Sequence, residues 1–377
     1  MDMFSGVLTY VVPFVVVLSI LVFVHELGHY LVARWNGVKV EVFSIGFGPE
    51  IYGWTAKSGT RWKISAVPLG GFVKMYGDAD AASTPSGELT EMTAEQKSVS
   101  FHHKRLGQRA AIVAAGPGIN FLFAILLLTG LYAVVGQPFT PAVVDQVMAG
   151  SAAEQADLRS GDRVVAVDGS SVSRFEELQR IVQERPGQSL AVVIERDGQQ
   201  MNLTLTPQPH VLTDRFGNER TIGRLGVQSN QLQTVRHNPV VAIWEATKET
   251  AFLTGATLKA VGQIIIGTRS TDELGGPLRI GQMSGEVAQG GIIPLIWFMA
   301  ILSINLGLIN LFPIPVLDGG HLLFYAAEAV RGKPLGQRVQ EYASMAGLAM
   351  VVALMVFATW NDLVQLKVVS FLGSLIG

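Results

Sequence analysis

His25 and His29 stand four positions apart in the run His25-Glu26-Leu27-Gly28-His29. On an α-helix that spacing puts both imidazoles on one face, within reach of a single Zn²⁺. Glu26 then lies beside the metal as a general base. The run follows an uncharged stretch from Val7 to Val24, long enough to span a bilayer. Ionisable side chains at the end of a membrane helix are costly to place and usually functional. Of the seven histidines, only His25, His29 and His321 have strongly apolar surroundings.

A second cluster lies near the other end of the chain. Val287 to Leu317 carries no charge and ends in Asn310-Leu-Phe-Pro-Ile-Pro-Val-Leu-Asp-Gly-Gly-His321. Pro313 and Pro315 cannot continue a regular helix, and Gly319-Gly320 adds freedom. Unwound backbone at membrane depth is tolerated only where protein buries it or where it lines a polar cavity. Asp318, an isolated carboxylate, is the natural third zinc ligand and leaves a fourth position for water. His321 is the rival ligand, although a histidine one turn later can instead orient Asp318. A helix N-cap is the purely structural alternative for Asp318.

Four apolar stretches must position these groups: Val7–Val24, continuing as helix to Ala33; Ala110–Val144, whose last third should leave the helix; Val287–Leu317; and Tyr342–Asn361. Half of the chain is hydrophobic (49%) and 15% is charged, which suits a membrane protein with a soluble insert. The formal charge of -2 does not indicate a nucleic-acid partner. With no cysteine, disulfides, thiolate ligands and a cysteine nucleophile are excluded. The N-terminal run has no preceding Lys or Arg and reads as a retained membrane helix, not a cleavable signal. Basic residues concentrate between the first two spans and between the last two, which predicts cytoplasmic loops there and both termini outside. His25 lies ~27 Å along a helix from Val7, so the metal is expected just inside the cytosolic edge.

Arg61–Lys74, with Pro68-Leu-Gly-Gly71 in its middle, reads as a hairpin or re-entrant β-loop, and Asp78–Lys97 as an exposed loop. His102 and His103 read as part of a solvated basic patch. From about Phe139 to Pro209 a soluble insert is expected. Leu158–Gly169 matches the L-x-x-G-D-x-V-x-x-V-D-G pattern of PDZ domains, Phe175–Gln183 is amphipathic, and Asp197-Gly198 signals a hairpin. A PDZ groove takes an extended peptide by strand addition, and a ligand-free spacer is the plain alternative. Pro239–Gly267 reads as a helix lying on the membrane surface.

Together these motifs make the chain resemble the site-2 intramembrane zinc metalloproteases, most closely the bacterial RseP-type group. The resemblance covers nearly the whole chain, including Gly46-Phe-Gly-Pro49, Gly116-Pro117-x-x-Asn120 and the single PDZ insert. It implies that His25, His29 and Asp318 hold Zn²⁺ and that Glu26 is the catalytic base. It implies substrates that are single-span membrane proteins, such as anti-sigma factors or leftover signal peptides, cut as an extended strand in the bacterial cytoplasmic membrane. Gly70, Gly71 and Phe72 of the loop, and Asn310, Pro313 and Pro315 of the broken span, are the expected substrate contacts. A peptide or a substrate's outer domain would dock at the external PDZ domain.

The expected fold is therefore a polytopic α-helical membrane protein with about four transmembrane helices, a membrane-associated β-loop and one external α+β PDZ domain. Its expected segments are 1–136 (two spans and the β-loop), 137–210 (PDZ), 211–286 (linker and surface helix) and 287–377 (two spans). Two other function classes remain: a zinc carrier, against which Glu26 speaks because a carrier needs no general base, and an inactive scaffold, against which the intact ligand set speaks.

Overall fold

The computed structural model describes residues 7–78, 92–213, 219–268 and 275–365. The N-terminal run begins as a π-helical turn, Val7–Val11, and continues as α1, Val12–Trp35. Pro13 follows directly on the π-helical turn, so the hydrogen-bond ladder lacks a donor at the point where the helix changes from π to α. Val17, Leu21, Val24, His25, Gly28 and His29 are buried, so the histidines lie on the stripe by which the helix packs. The helix stops where the Asn36 amide donates to the Val32 carbonyl (2.8 Å) and Gly37 adopts φ +68°.

Strands β1 (Val40–Thr55) and β2 (Arg61–Met75) follow. Of the two forms expected for Arg61–Lys74, a hairpin or a re-entrant β-loop, the hairpin is not formed: the segment is one long strand that pairs with β1 and not with itself. Val42–Ile45 pairs with Arg61–Ile64 and also with Gly71–Lys74, while Arg61–Ile64 pairs in addition with Tyr52–Thr55. A strand has two edges, so the result is four side-by-side segments with Gly71–Lys74 at one margin. The Pro68-Leu69-Gly70-Gly71 interruption is the corner that takes β2 from one side of β1 to the other. Phe43 and Trp62 stack across this sheet, and Tyr30 of α1 meets both rings edge-on.

Residues 79–91 of the expected exposed loop lie outside the described residues, and the loop's two ends are structured. Thr93 opens a short helix α2, Ala94–Val99, with a capping box to Gln96. Asp78 is buried, accepting the Met75 N–H (2.9 Å) and lying 2.9 Å from His102 Nε2. His102 therefore is not part of a fully solvated patch: a buried carboxylate needs a partner, and this ring supplies one.

Helix α3, Leu106–Val134, leads to the insert: β3 (Gln137–Phe139), β4 (Gln146–Val147), α4 (Ala152–Gln155), β5 (Arg163–Val167), β6 (Ser170–Ser171), α5 (Phe175–Gln183), β7 (Leu190–Arg196), β8 (Gln199–Leu205), β9 (Gln208–Thr213), β10 (Glu219–Arg224), β11 (Val227–Gln228) and β12 (Gln233–Val235). Its central sheet has the order β6-β5-β7-β8. Phe175, Leu178 and Val182 of α5 enter a core with Val164, Val192 and Ile194. Asp197-Gly198, both at positive φ, turns β7 into β8. The linker expected from residue 211 onward instead contains strands. β10 pairs with β9, β11 with β4 and β12 with β3, closing the insert back to its first strand. These strands are short and polar, which hid their period in the sequence.

The C-terminal part comprises α6 (Pro239–Ile265), α7 (Pro277–Gln289), α8 (Ile292–Leu311), α9 (Asp318–Arg331) and α10 (Gln337–Gln365). The third apolar run thus starts later than expected, since Gly290-Gly291 separates α7 from α8 and Gly291 takes φ +98°. Leu8–Trp35, Leu106–Val134, Ile292–Leu311 and Arg338–Gln365 are long and apolar enough to cross a membrane. The chain forms two compact units. One holds α1, the β1–β2 sheet, most of α3, the middle of α6, and α7 to α10; the other is centred on the insert.

Candidate metal centre and active site

His25, Glu26 and His29 project from the buried stripe of α1, each about 8% exposed. Asp318 is the first residue of α9, reached through the turn that follows α8. His25 Nε2 lies 3.2 Å from Asp318 Oδ2, His29 Nε2 lies 3.5 Å from Oδ1, and the two Nε2 atoms are 3.3 Å apart. Among the described residues these three form a group whose ligand atoms all lie within 4.8 Å of one another. Asp318 Oδ2 is buried without a hydrogen-bond partner among the described residues. Two imidazole nitrogens and a carboxylate facing one another repel unless protons or a cation stand between them, and two N donors with one O donor suit Zn²⁺. The residues present fit the metal that the spacing implies.

The other ring nitrogens are held from α3. His29 Nδ1 faces the Ile112 carbonyl (2.9 Å) and His25 Nδ1 faces the Asn120 carboxamide (3.0 Å). Close approach of the two helices depends on Gly28, where a Cβ would stand 2.3 Å from the Ala115 carbonyl oxygen. On the other side, α9 is tied to α3 by Arg109, which bonds Glu328 (2.5 Å) and lies over the Tyr325 ring (5.0 Å). The turn before Asp318 is tight: Val316 takes φ +89°, unusual for a β-branched residue, and a Cβ on Gly319 would meet the Leu311 and Phe312 oxygens at 2.3 Å. Leu317, not Asp318, occupies the N-cap position of α9, so the carboxylate is not engaged in capping its own helix.

The remaining expected site residues divide into three groups. Gly71 lies against α1, where a Cβ would come 2.8 Å from Val22 Cγ1 and 3.0 Å from Glu26 Cγ. It therefore places the marginal segment of β2 beside Glu26. Gly70 takes φ +118° over the Phe47 ring, and Phe72 stacks on Phe47 with centroids 6.1 Å apart. Asn310 donates from Nδ2 to the Leu306 carbonyl one turn back in its own helix (3.1 Å). Pro313 is exposed, whereas the Pro315 carbonyl approaches α10 so closely that Gly347 has no room for a Cβ. His321 sits one turn into α9, edge-on to Phe324 (6.2 Å), outside the three-residue group. Sequence reasoning missed Arg109, Glu328 and the contact of Asn120 with His25. The Gly116-x-x-x-Asn120 spacing on an apolar helix was the available signal for the last.

In the insert, a groove of about 350 Å³ runs between α5 and β10–β11, lined by Phe175, Leu178, Val182, Ile222, Leu225 and Val227 among others.

A family model described as Peptidase family M50 matches residues 13–354. A candidate zinc metalloprotease of Agrobacterium fabrum is 47% identical over 368 residues, covering 96% of this chain and 98% of its own. The metalloprotease MmpA of Caulobacter vibrioides is 36% identical over 401 residues, covering 98% and 99%. A PDZ domain of an SdrC-like protein from Listeria monocytogenes aligns with 24% of this chain and 90% of its own, at 14% identity and a TM-score of 0.20. The chain belongs to peptidase family M50.

Proposed function

We propose that this zinc metalloprotease of family M50 is an endopeptidase that hydrolyses peptide bonds within the membrane-spanning segments of single-span proteins. The observation that carries the reading is the convergence of His25, His29 and Asp318 beside Glu26 inside a unit built of apolar helices. His25, His29 and Asp318 would hold the zinc, which when bound would supply Lewis-acid chemistry and lower the pKa of a water toward ~7. Glu26 takes the proton of the attacking water and delivers it to the leaving amide nitrogen.

A helical substrate must unwind to present its carbonyl, and its freed backbone groups then need partners. The marginal Gly71–Lys74 segment supports strand addition, since among the described residues it is paired on one side only and it lies beside Glu26. Phe72 and Asn310, with Pro313 and the neighbouring Pro315, are the further contacts in this reading. The basic loops favour an orientation in a bacterial cytoplasmic membrane with the metal near the cytosolic edge and the insert outside. The resemblance to site-2 proteases is what points to anti-sigma factors or leftover signal peptides as substrates. The groove of the insert, of mixed polar and apolar lining, supports docking of a peptide or of a substrate's outer domain.

Converting Glu26 to Gln tests the mechanism. The variant is expected to keep stoichiometric zinc and to cut a single-span substrate at least ~10³-fold more slowly, the loss of a general base. Cleavage at the wild-type rate would refute it, and a zinc-binding protein with no hydrolysis in either form would return the carrier reading.

A further inference from the structure

Asn120 is fully buried on α3, one turn past Gly116. Its main-chain carbonyl accepts the Ser303 hydroxyl of α8 at 2.8 Å. A Cβ at Gly307, also on α8, would stand 3.2 Å from Asn120 Cβ. The backbone is therefore held between helices, and the carboxamide faces His25 Nδ1 through its Nδ2 atom at 3.0 Å. One end of that carboxamide, Oδ1, is buried with no partner among the described residues.

An imidazole that offers its Nε2 lone pair to a cation carries its proton on Nδ1, and that N–H needs an acceptor. For His29 the acceptor is a main-chain carbonyl, that of Ile112, which no substitution removes. For His25 the group within reach is a side chain. A half-turn of the terminal amide, whose two ends have nearly the same shape, brings the unpartnered Oδ1 onto His25 Nδ1–H. We propose that Asn120 is a positioning residue: its carboxamide oxygen holds His25 in the tautomer protonated at Nδ1 and so makes Nε2 the metal-facing atom. The inference rests on the metal-site reading above, and its readout is metal binding and not cleavage, so that the two can fail separately.

The test uses the full chain in detergent, with zinc affinity measured by competition against a chromophoric chelator and coordination geometry read from the visible bands of the Co²⁺-substituted protein. Asn120→Leu keeps the volume and removes the acceptor, whereas Asn120→Asp keeps an acceptor and removes the donor. The leucine variant is expected to lose about 10–100-fold in zinc affinity, the usual cost of losing such a partner, and to show altered Co²⁺ bands. The aspartate variant is expected to bind zinc at least as tightly as the wild type and to keep the bands. If the leucine variant does not fold, Asn120→Ala makes the same comparison. Wild-type affinity in a folded leucine or alanine variant overturns the proposal. So does an aspartate variant as weak as the leucine one, since the acceptor would then not be what matters. A wild type without stoichiometric zinc overturns both this proposal and the metal reading.

Discussion

At Asp318 one carboxylate joins two segments almost three hundred residues apart, because its oxygens face both His25 and His29. His321, the other candidate, is turned toward Phe324. Asp318→Ala is therefore expected to lose bound zinc and all cleavage, while His321→Ala keeps most of its zinc. Metal analysis of the two purified variants decides between them, and the reverse pattern would transfer the ligand role to His321. Removing Asp318 leaves two imidazoles, too few donors for a tight zinc site.

Among the elements, α9 matters because it carries Asp318 into place. Its tie to α3 through Arg109 and Glu328 has both side chains largely shielded, 14% and 17% exposed. Removing one partner leaves the other charge poorly compensated. Arg109→Met is expected to destabilise the helical unit by about 2 kcal/mol, and Glu328→Gln made on top of it to cost little more. Unfolding of the single and double variants in mixed micelles measures the coupling; additive losses would mean the tie is not a pair.

In the insert, Asp162 plays a comparable part. Its carboxylate accepts a two-pronged bond from Arg196 (both 2.7 Å) and the Arg159 N–H (2.7 Å). Burial pushes this carboxyl up, but those hydrogen bonds outweigh it and the net shift is downward. Glu177 behaves alike: burial raises it, and the N–H groups of Ser173 and Arg174 lower it further. A carboxylate with a depressed folded pKa contributes stability above its unfolded value, ~4, and loses that contribution as pH falls through the folded value. Amide exchange in β5 and β7 of the full chain should therefore accelerate as pH drops below ~4, after correction for intrinsic rates. Asp162→Asn should flatten that dependence.

For the whole molecule, the insert begins and ends at adjacent strands, which makes its excision a natural test. Val235 pairs with Gln137, so its first and last strands stand side by side. An excision from Gln137 to Val235 closed by a short linker respects this pairing, whereas one ending near Pro209 would strand β10 to β12 without partners. The excised protein is expected to retain zinc and to cut substrates with large outer domains that the full chain spares, as an external filter requires. If it holds zinc yet cuts not even short substrates in detergent, the filter role fails.

Much of this was legible in the sequence because it depends on local spacing. The interval between His25 and His29 places both on one helical face wherever the helix goes. An uncharged run of membrane length must become a helix, because no other structure satisfies its backbone in lipid. Asp197-Gly198 dictates a tight turn from its own dihedral preferences. Other features depend on what stands opposite. Arg61–Lys74 has the composition of a hairpin, and only the two edges of Val42–Ile45 decided that it would run as one strand around β1. The strands from Glu219 to Val235 are too short to show a period, so their pairing emerged only with their partners. Nothing in the order of residues says that Arg109 meets Glu328, and the spacing of Gly116 and Asn120 signals a helix contact without saying that its partner is His25. Those contacts are set by how closely α1, α3 and α9 pack, and that distance is fixed by the absence of a side chain at Gly28 and by the tight turn before Asp318.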